Sequence, residues 1–217
     1  MKKKIIIFLI IIIFIIAICF ILYKLNIIPH KYYYNKDFNI ENYISSVDKD
    51  NDGIDDQTDI LNNVRNYIAT KPKYKSKYYG TGYPDDEYGV CVDVVAFGLK
   101  DAGYDLMELV NEDIKNNREN YNIEVIDKNI DFRRVGNLNT YFKNNSISLT
   151  TDLEKIEEWQ GGDIIVFKDH IGIISDKRNR KGIPFLIHHM SVAQVNYEED
   201  VLELYGQDYI IGHYRIS

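Results

Sequence analysis

The chain begins with a long apolar stretch. Three lysines, Lys2–Lys4, precede an unbroken apolar run from Ile5 to Tyr23. A helix needs roughly 20 apolar residues to cross the hydrocarbon core of a bilayer, so this run predicts a transmembrane helix. The run is longer than the apolar core of a usual signal peptide, and no small-x-small cleavage site follows it. We therefore predict an uncleaved transmembrane signal anchor over residues 1–24.

Beyond residue 24 the pattern predicts a tether followed by one folded domain. Residues 25–46 are rich in tyrosine and asparagine and predict the tether, whereas residues 47–217 make one domain of ordinary size. The first helix of the domain is predicted by apolar residues that recur at helical spacing, namely Ile60, Leu61, Val64 and Ile68.

A buried central helix is predicted from Cys91 to Ala102. Its apolar residues occupy nearly all of its faces, which is typical of a helix inside a core. Gly103 stands where a left-handed C-terminal cap is expected. Further helices are predicted over residues 104–117 and up to Phe142. The end of the chain is rich in predicted strands, at residues 164–167, 170–175, 185–189 and 209–216, with a short helical segment around residues 198–204.

An acidic segment, residues 48–59, resembles a calcium loop of the EF-hand or thrombospondin-repeat kind. Alternate oxygen ligands can converge on a hard cation because Gly53 permits a sharp turn. The predicted ligand positions are Asp48, Asp50, Asp52, Ile54, Asp56 and Asp59. The last ligand is Asp rather than the longer Glu, and a solvated acidic turn that caps the following helix is the alternative. We predict a structural calcium and no cofactor for catalysis.

Composition and charge exclude one functional class. The chain has 217 residues, 45% of them hydrophobic, and a formal net charge of -7. Without the four lysines of the first 24 residues, which contain no acid, the rest of the chain carries -11. Such an acidic surface argues against nucleic-acid binding. We expect a monomer whose partners are its substrate and the membrane.

The domain contains one cysteine, and its position suggests a nucleophile. The other cysteine, Cys19, lies in the apolar run, so no internal disulfide is expected. Cys91 lies where a turn-rich loop, residues 80–89, meets the first turn of the central helix. Free amide groups and the helix dipole favour an anion there, which predicts a lowered thiol pKa. The alternative is a small apolar residue at the edge of a core.

Histidines near the predicted strands supply a base for this thiol. His170 begins a strand beside a tight turn, where its imidazole could accept the proton of Cys91. His188 and His189 point to opposite faces of the next strand, so at most one of them shares a site with His170. Cys91, His170 and His188 are also an acceptable set of zinc ligands, which is a second alternative.

Five segments of the chain together resemble a known family. They are Gly89–Val95, Asn129–Val135, Gly162–Ile165, His170–Asp176 and Gly212–Arg215. In this order they resemble the bacterial domain-of-unknown-function family numbered twelve eighty-seven, which belongs with the NlpC-type papain-like cysteine peptidases. The resemblance covers about residues 59–217. It implies an α+β, papain-like (NlpC-type) fold in which the central helix carries the cysteine and packs on an antiparallel β-sheet.

The resemblance also implies roles for three residues. Cys91 matches the nucleophile, His170 the base, and His188 the polar residue that orients the base. Activity on peptidoglycan peptides is implied as well. We therefore predict a single-pass membrane protein with an extracellular cysteine hydrolase domain, a peptidase or amidase. The orientation rests on this chemistry, because lysines flank both ends of the apolar run. The alternative is a non-catalytic cell-wall binding or assembly module on the same fold.

Overall fold

The structure, a computed structural model, describes residues 2–216. Met1 and Ser217, the outer ends of the predicted anchor and the predicted domain, lie outside the described residues. The α-helices are α1 (Lys2–Lys24), α2 (Asp56–Ala69), α3 (Cys91–Asp101), α4 (Leu106–Asn116), α5 (Lys128–Asp131), α6 (Val135–Asn145) and α7 (Leu202–Tyr205). The strands are β1 (Lys73–Tyr74), β2 (Tyr88–Gly89), β3 (Ile147–Ser148), β4 (Ile164–Phe167), β5 (Ile171–Arg178), β6 (Pro184–Ile187), β7 (Glu198–Glu199) and β8 (Ile210–Arg215).

The strands form a mixed α+β architecture with one main antiparallel sheet. Six strands lie in the order β3-β8-β4-β5-β6-β7, and every neighbouring pair is antiparallel. β1 and β2 form a separate two-stranded parallel pair just before the central helix. The prediction of an α+β class with an antiparallel sheet is therefore confirmed.

The sheet is buried on both faces at β4, which is apolar throughout. Ile164 and Val166 of β4 pack in the same core as α2 and α3, whereas Ile165 and Phe167 pack in a second core on the other face. This alternation follows from the two-residue period of a strand. The first core fixes α3 against β5, which positions the start of α3 beside the start of that strand.

The central helix α3 is fixed by a close helix contact and a buried ion pair. A Cβ at Gly98 would lie 2.1 Å from Val64 Cγ2, so only glycine lets α2 approach α3 this closely. Asp93, fully buried, accepts hydrogen bonds from Arg133 Nε at 2.7 Å and Nη2 at 2.8 Å. The same carboxylate accepts the backbone N–H of Val90 at 2.8 Å, which caps the helix. Gly103 follows the helix with a φ of +84° and confirms the predicted left-handed end.

The predicted tether packs on the domain. Tyr33 and Arg178 exchange backbone hydrogen bonds at 2.8 Å, so a residue of the predicted tether pairs with the end of β5. Asn35, which is buried, accepts from the Arg178 guanidinium and donates to Gln160 at 2.8 Å. Residues 33–35 are therefore part of the folded unit rather than a free linker.

The segment around residues 198–204 differs from its prediction. Glu198 and Glu199 form strand β7 at the edge of the sheet, and only Leu202–Tyr205 is helical. Ile187 pairs with Glu198 and Leu186 with Glu199. The helical propensity of the Glu- and Leu-rich segment is overridden by this edge pairing, which the local sequence does not reveal.

The N-terminal helix has the length and composition of a membrane span. Within the 22 residues from Lys3 to Lys24, an 18-residue window has a mean hydropathy of 3.9 and is not buried against the rest of the protein. Both membrane anchors and signal sequences have these properties.

Candidate active site

Cys91 is the first residue of α3 and is half-buried. The backbone amides of Ile171, Val92 and Cys91 itself surround its sulfur and favour the thiolate. Burial opposes them more strongly and raises the pKa of the Cys91 thiol to about 11. The expected lowering of this pKa by the helix start is therefore wrong for the structure. The cause is that the loss of solvation exceeds the stabilisation that the amides provide.

His170 directly precedes β5 and is buried. Its Nε2 lies 2.8 Å from Nδ1 of His188, which is also buried. Burial, followed by the neighbouring His188, lowers the pKa of His170 to about 3. The imidazole is consequently neutral at pH 7 and has a lone pair that can accept a proton.

The chain of hydrogen bonds continues from His188 to Glu199. His188 Nε2 lies 3.0 Å from Glu199 Oε2, and Gln194 Nε2 donates to the same oxygen at 3.1 Å. Burial raises the pKa of Glu199 to about 7. The sequence did not indicate that Glu199 belongs to the site, because its proximity to His188 depends on the edge strand β7. The adjacent pair of glutamates carries no motif that would identify it.

An ionised Glu199 would assign the proton positions along this chain. A carboxylate only accepts, so His188 must carry its proton on Nε2 and present an unprotonated Nδ1. That nitrogen accepts from His170 Nε2–H, which leaves His170 Nδ1 unprotonated. Among the described residues His170 Nδ1 has no hydrogen-bond partner, and it is not enclosed. The arrangement therefore holds His170 in the tautomer that a general base requires.

Cys91 and His170 both lie next to Ile171, Cys91 in space and His170 in the chain. The Ile171 amide favours the Cys91 thiolate, and His170 precedes Ile171 in the chain. Tyr205 lies near both groups: its ring centroid is 6.4 Å from that of His170, and the charge of Cys91 contributes to raising its pKa after burial. In the described part of the chain no hydrogen bond joins Cys91 to His170. Catalytic hydrogen bonds are often long before substrate binds.

The two adjacent histidines face different surroundings. His188 contacts His170, whereas the ring of His189 packs edge-on against Tyr74 at 5.2 Å and Tyr197 at 4.9 Å. Of the two, His188 thus lies in the predicted site with His170.

The geometry does not support the zinc alternative. Two imidazole nitrogens that bind one tetrahedral zinc at about 2.05 Å would lie roughly 3.3 Å apart. The facing nitrogens of His170 and His188 are 2.8 Å apart, which is a hydrogen-bond distance. Within residues 2–216 one group of three side chains has metal-ligand spacing, and it includes neither histidine.

That group is Asp48, Asp50 and Asp52, the first half of the predicted calcium loop. Their oxygens lie within 4.8 Å of one another and are exposed. Asp56 is instead buried and accepts from the Lys49 amide at 2.7 Å. Asp59, also buried, accepts from Asn63 at 2.9 Å, and burial raises its pKa to about 6. The structure thus brings together three of the predicted ligands. Ile54 donates its amide to Asp52 at 2.8 Å, and its side chain is exposed.

The calcium prediction is tested by thermal unfolding. If Asp48, Asp50 and Asp52 hold calcium, millimolar calcium raises the Tm of the full-length protein in detergent micelles by several degrees, since a ligand that binds only the folded state stabilises it. Asp50→Asn is expected to remove the shift, and the exposed Asp208→Asn is expected to keep it. A Tm that is identical in calcium and in chelator would refute calcium binding.

The fold and the site define an α+β protein with a cysteine at the start of its central helix and a buried His–His–Glu chain beside it. The chain belongs to the family described as Domain of unknown function (DUF1287), whose model matches residues 61–216. It is 36% identical over 169 residues to "Uncharacterized protein YijF" of Escherichia coli (strain K12), an alignment that covers 72% of this chain and 80% of that protein. No solved structure is significantly similar to the chain.

Proposed function

We propose that the protein is a cysteine hydrolase, a peptidase or amidase of NlpC-like, papain-like fold, that acts on peptidoglycan peptides. The observation that carries the proposal is the hydrogen-bonded chain from Glu199 through His188 to His170, at the strand whose first amide favours the Cys91 thiolate. Such a chain orients a neutral imidazole toward an attacking group. The substrate class follows from the resemblance of the site motifs to NlpC-type peptidases.

In the proposed reaction the ion pair forms during attack rather than at rest. The thiol pKa is raised and the imidazole pKa is lowered, so both groups are neutral at pH 7. As the sulfur attacks the carbonyl carbon, its proton passes to His170 Nδ1 and a C–S bond forms. His170 then gives that proton to the leaving amine as the C–N bond breaks. Water hydrolyses the thioester and regenerates the thiol.

The start of α3 would stabilise the intermediate oxyanion. The amides of Cys91 and Val92 are in the first turn of the helix and favour the thiolate. Preorganised amides of this kind stabilise the charge that develops on the carbonyl oxygen. The mechanism requires Cys91 Sγ and His170 Nδ1 to come within hydrogen-bond distance in the substrate complex.

The proposal places the domain outside the cell. α1 would remain as a single-pass anchor, and the domain would face the peptidoglycan from the outer side of the membrane. A helix of this length and hydropathy supports an anchor. The incubation of full-length protein with purified stem peptides, followed by mass analysis of the products, tests the activity directly.

A non-catalytic cell-wall binding module is the second candidate. Two observations favour it: burial raises the pKa of the Cys91 thiol, and no hydrogen bond links Cys91 to His170 within the described residues. Binding of stem peptides without any cleavage would support this candidate against the hydrolase.

Glu199→Gln is expected to lower turnover roughly 100-fold, at the lower end of what acid–base catalysis contributes. An amide can donate to His188 Nε2 and thereby impose the opposite tautomer on both histidines. In the wild type, turnover is expected to rise as pH increases through about 7, because Glu199 with its raised pKa ionises there. The variant should lack this rise. The measurement is kcat against pH between 5 and 9.

The matched control is the neighbouring Glu198→Gln. Glu198 faces away from His188 and accepts from Arg65 at 2.7 Å and Lys177 at 2.6 Å. Its replacement should lower the Tm and leave the pH profile unchanged. A Glu199→Gln profile identical to that of the wild type would show that Glu199 does not set the tautomers.

A further inference from the structure

A pocket at the β1–β2 pair, just before α3, is not used by the proposed mechanism. It has a volume of about 370 Å³, and we call it the His189 pocket. The residues that line it include Lys71, Lys73, Tyr74, Tyr88, His189 and Tyr197. Two of them connect it to Cys91. Tyr74 pairs with Gly89, two residues before Cys91, and Tyr88 stands three residues before it. A group held in the His189 pocket would therefore lie close to a bond attacked by Cys91.

His189 contributes an unpartnered polar group to this pocket. The residue is 2% exposed, and its Nδ1 is buried with no hydrogen-bond partner. Buried polar atoms in folded proteins are nearly always bonded, so a histidine in a pocket wall with no bonded nitrogen points to a ligand. Because Nδ1 is enclosed, the ligand would be bound through Nε2. Nε2 also has no partner among the described residues, and it is not enclosed. Burial followed by the nearby His188 lowers the pKa of His189 to about 4, so the ring is neutral at pH 7 and donates through one nitrogen.

The rim of the His189 pocket is positively charged although the protein is acidic. Lys71, Lys73 and Lys75 lie within five residues of chain. Lys73 is paired with Glu87 at 3.3 Å, whereas Lys71 and Lys75 form no ion pair within residues 2–216. The Lys75 ammonium lies 5.0 Å from the ring centroid of Tyr88. A local excess of positive charge at a pocket attracts anions and orients them.

We propose that the His189 pocket binds a carboxylate of the peptide substrate, at a position adjoining the bond that Cys91 cleaves. His189 donates one hydrogen bond to the carboxylate, and Lys71 and Lys73 neutralise its charge. The tyrosine rings of the walls contact the adjoining apolar atoms of the peptide. This inference rests on the proposed function, because it names the group by which that substrate is recognised.

Binding to the full-length Cys91→Ala protein in detergent micelles tests the pocket without turnover. The probes are the tripeptide L-Ala-γ-D-Glu-L-Lys and the same peptide with both carboxylates amidated. Calorimetry is expected to show that the acid form binds about tenfold more tightly, as befits a charged hydrogen bond. His189→Leu, added to Cys91→Ala, should reduce this preference to less than twofold.

Two further variants keep the test decisive. If His189→Leu does not fold, the double variant Lys71→Gln, Lys73→Gln should reduce the preference in the same way. The exposed Lys115→Gln, which removes one charge far along the chain on α4, should leave the tenfold preference intact. Equal affinity for the two peptides, or an unchanged preference in the pocket variants, would overturn the proposal. Inorganic phosphate that competes as well as the tripeptide would also overturn it, since the site would then be one for phosphate.

The outcomes separate this inference from the proposed function. A preference for the acid peptide in the binding assay, with no cleavage of that peptide by the wild type, supports the pocket and refutes the hydrolase. Cleavage by the wild type without any carboxylate preference supports the hydrolase and refutes the pocket.

Discussion

Cys91→Ala is expected to abolish the cleavage of peptidoglycan stem peptides, with a loss of at least roughly 10⁴-fold in kcat. The reason is that the sulfur is the atom that forms the covalent bond to the substrate, and alanine has no replacement for it. The side chain is small and half-buried, so the Tm should change by only a few degrees. The measurement is the rate of product formation by chromatography, with circular dichroism to verify the fold.

Cys19→Ala is the matched control for this variant. Cys19 lies exposed on α1, remote in sequence from the domain, and its removal should leave the rate unchanged. Full activity in Cys91→Ala would refute thiol catalysis at this site. Equal loss in both variants would point to a general effect of thiol removal, which also contradicts the mechanism.

His170→Ala is expected to lower kcat by about 10²- to 10⁴-fold, the range that a general base contributes. The variant removes the nitrogen that accepts the thiol proton. It also leaves His188 Nδ1 buried without its partner, which costs about 1–3 kcal/mol of folding free energy. The kcat should therefore be measured well below the Tm of the variant, with the wild type at the same temperature.

A second buried histidine separates the loss of a base from the loss of stability. His213 is as buried as His170 and lies 2.9 Å from Asp163 through Nε2. His213→Gln should lower the Tm and retain kcat while folded. Turnover by His170→Ala at the level of His213→Gln would show that His170 is not the base.

The raised pKa of Cys91 changes how the mechanism must be understood. A thiol with a lowered pKa would react with alkylating reagents even without substrate. Here burial outweighs the helix-start amides, so the resting protein holds a neutral thiol beside a neutral imidazole. In the proposed mechanism, substrate brings the two groups together, so the thiol would stay unreactive until a peptide is bound.

Strong local patterns explain why much of the fold was predictable. The central helix follows from an apolar run, and its end follows from a glycine that can adopt a positive φ. β4 and β5 follow from short apolar runs divided by a turn. Strand alternation predicted that only one of His188 and His189 would contact His170, although β6 ends one residue before them, at Ile187. The structure agrees, with His188 as that contact.

The features that the sequence did not reveal depend on contacts between distant residues. Glu199 reaches His188 only because β7 pairs with β6 across a long loop. The sign of the Cys91 pKa shift depends on how deeply β5 buries the sulfur, which is a property of packing and not of position in a helix. The predicted tether likewise joins the domain through Arg178, far along the chain.

Stem-peptide hydrolysis in water enriched in oxygen-18 directly tests whether the protein is a hydrolase that uses Cys91. Full-length protein in detergent micelles is incubated with purified muropeptides, and the product masses are read. A cysteine hydrolase yields two new fragments, one of which carries a single oxygen-18 in its new carboxylate, in the wild type but not in Cys91→Ala. Intact muropeptides after prolonged incubation with the folded wild type, or labelled fragments formed equally by Cys91→Ala, would contradict hydrolysis by Cys91.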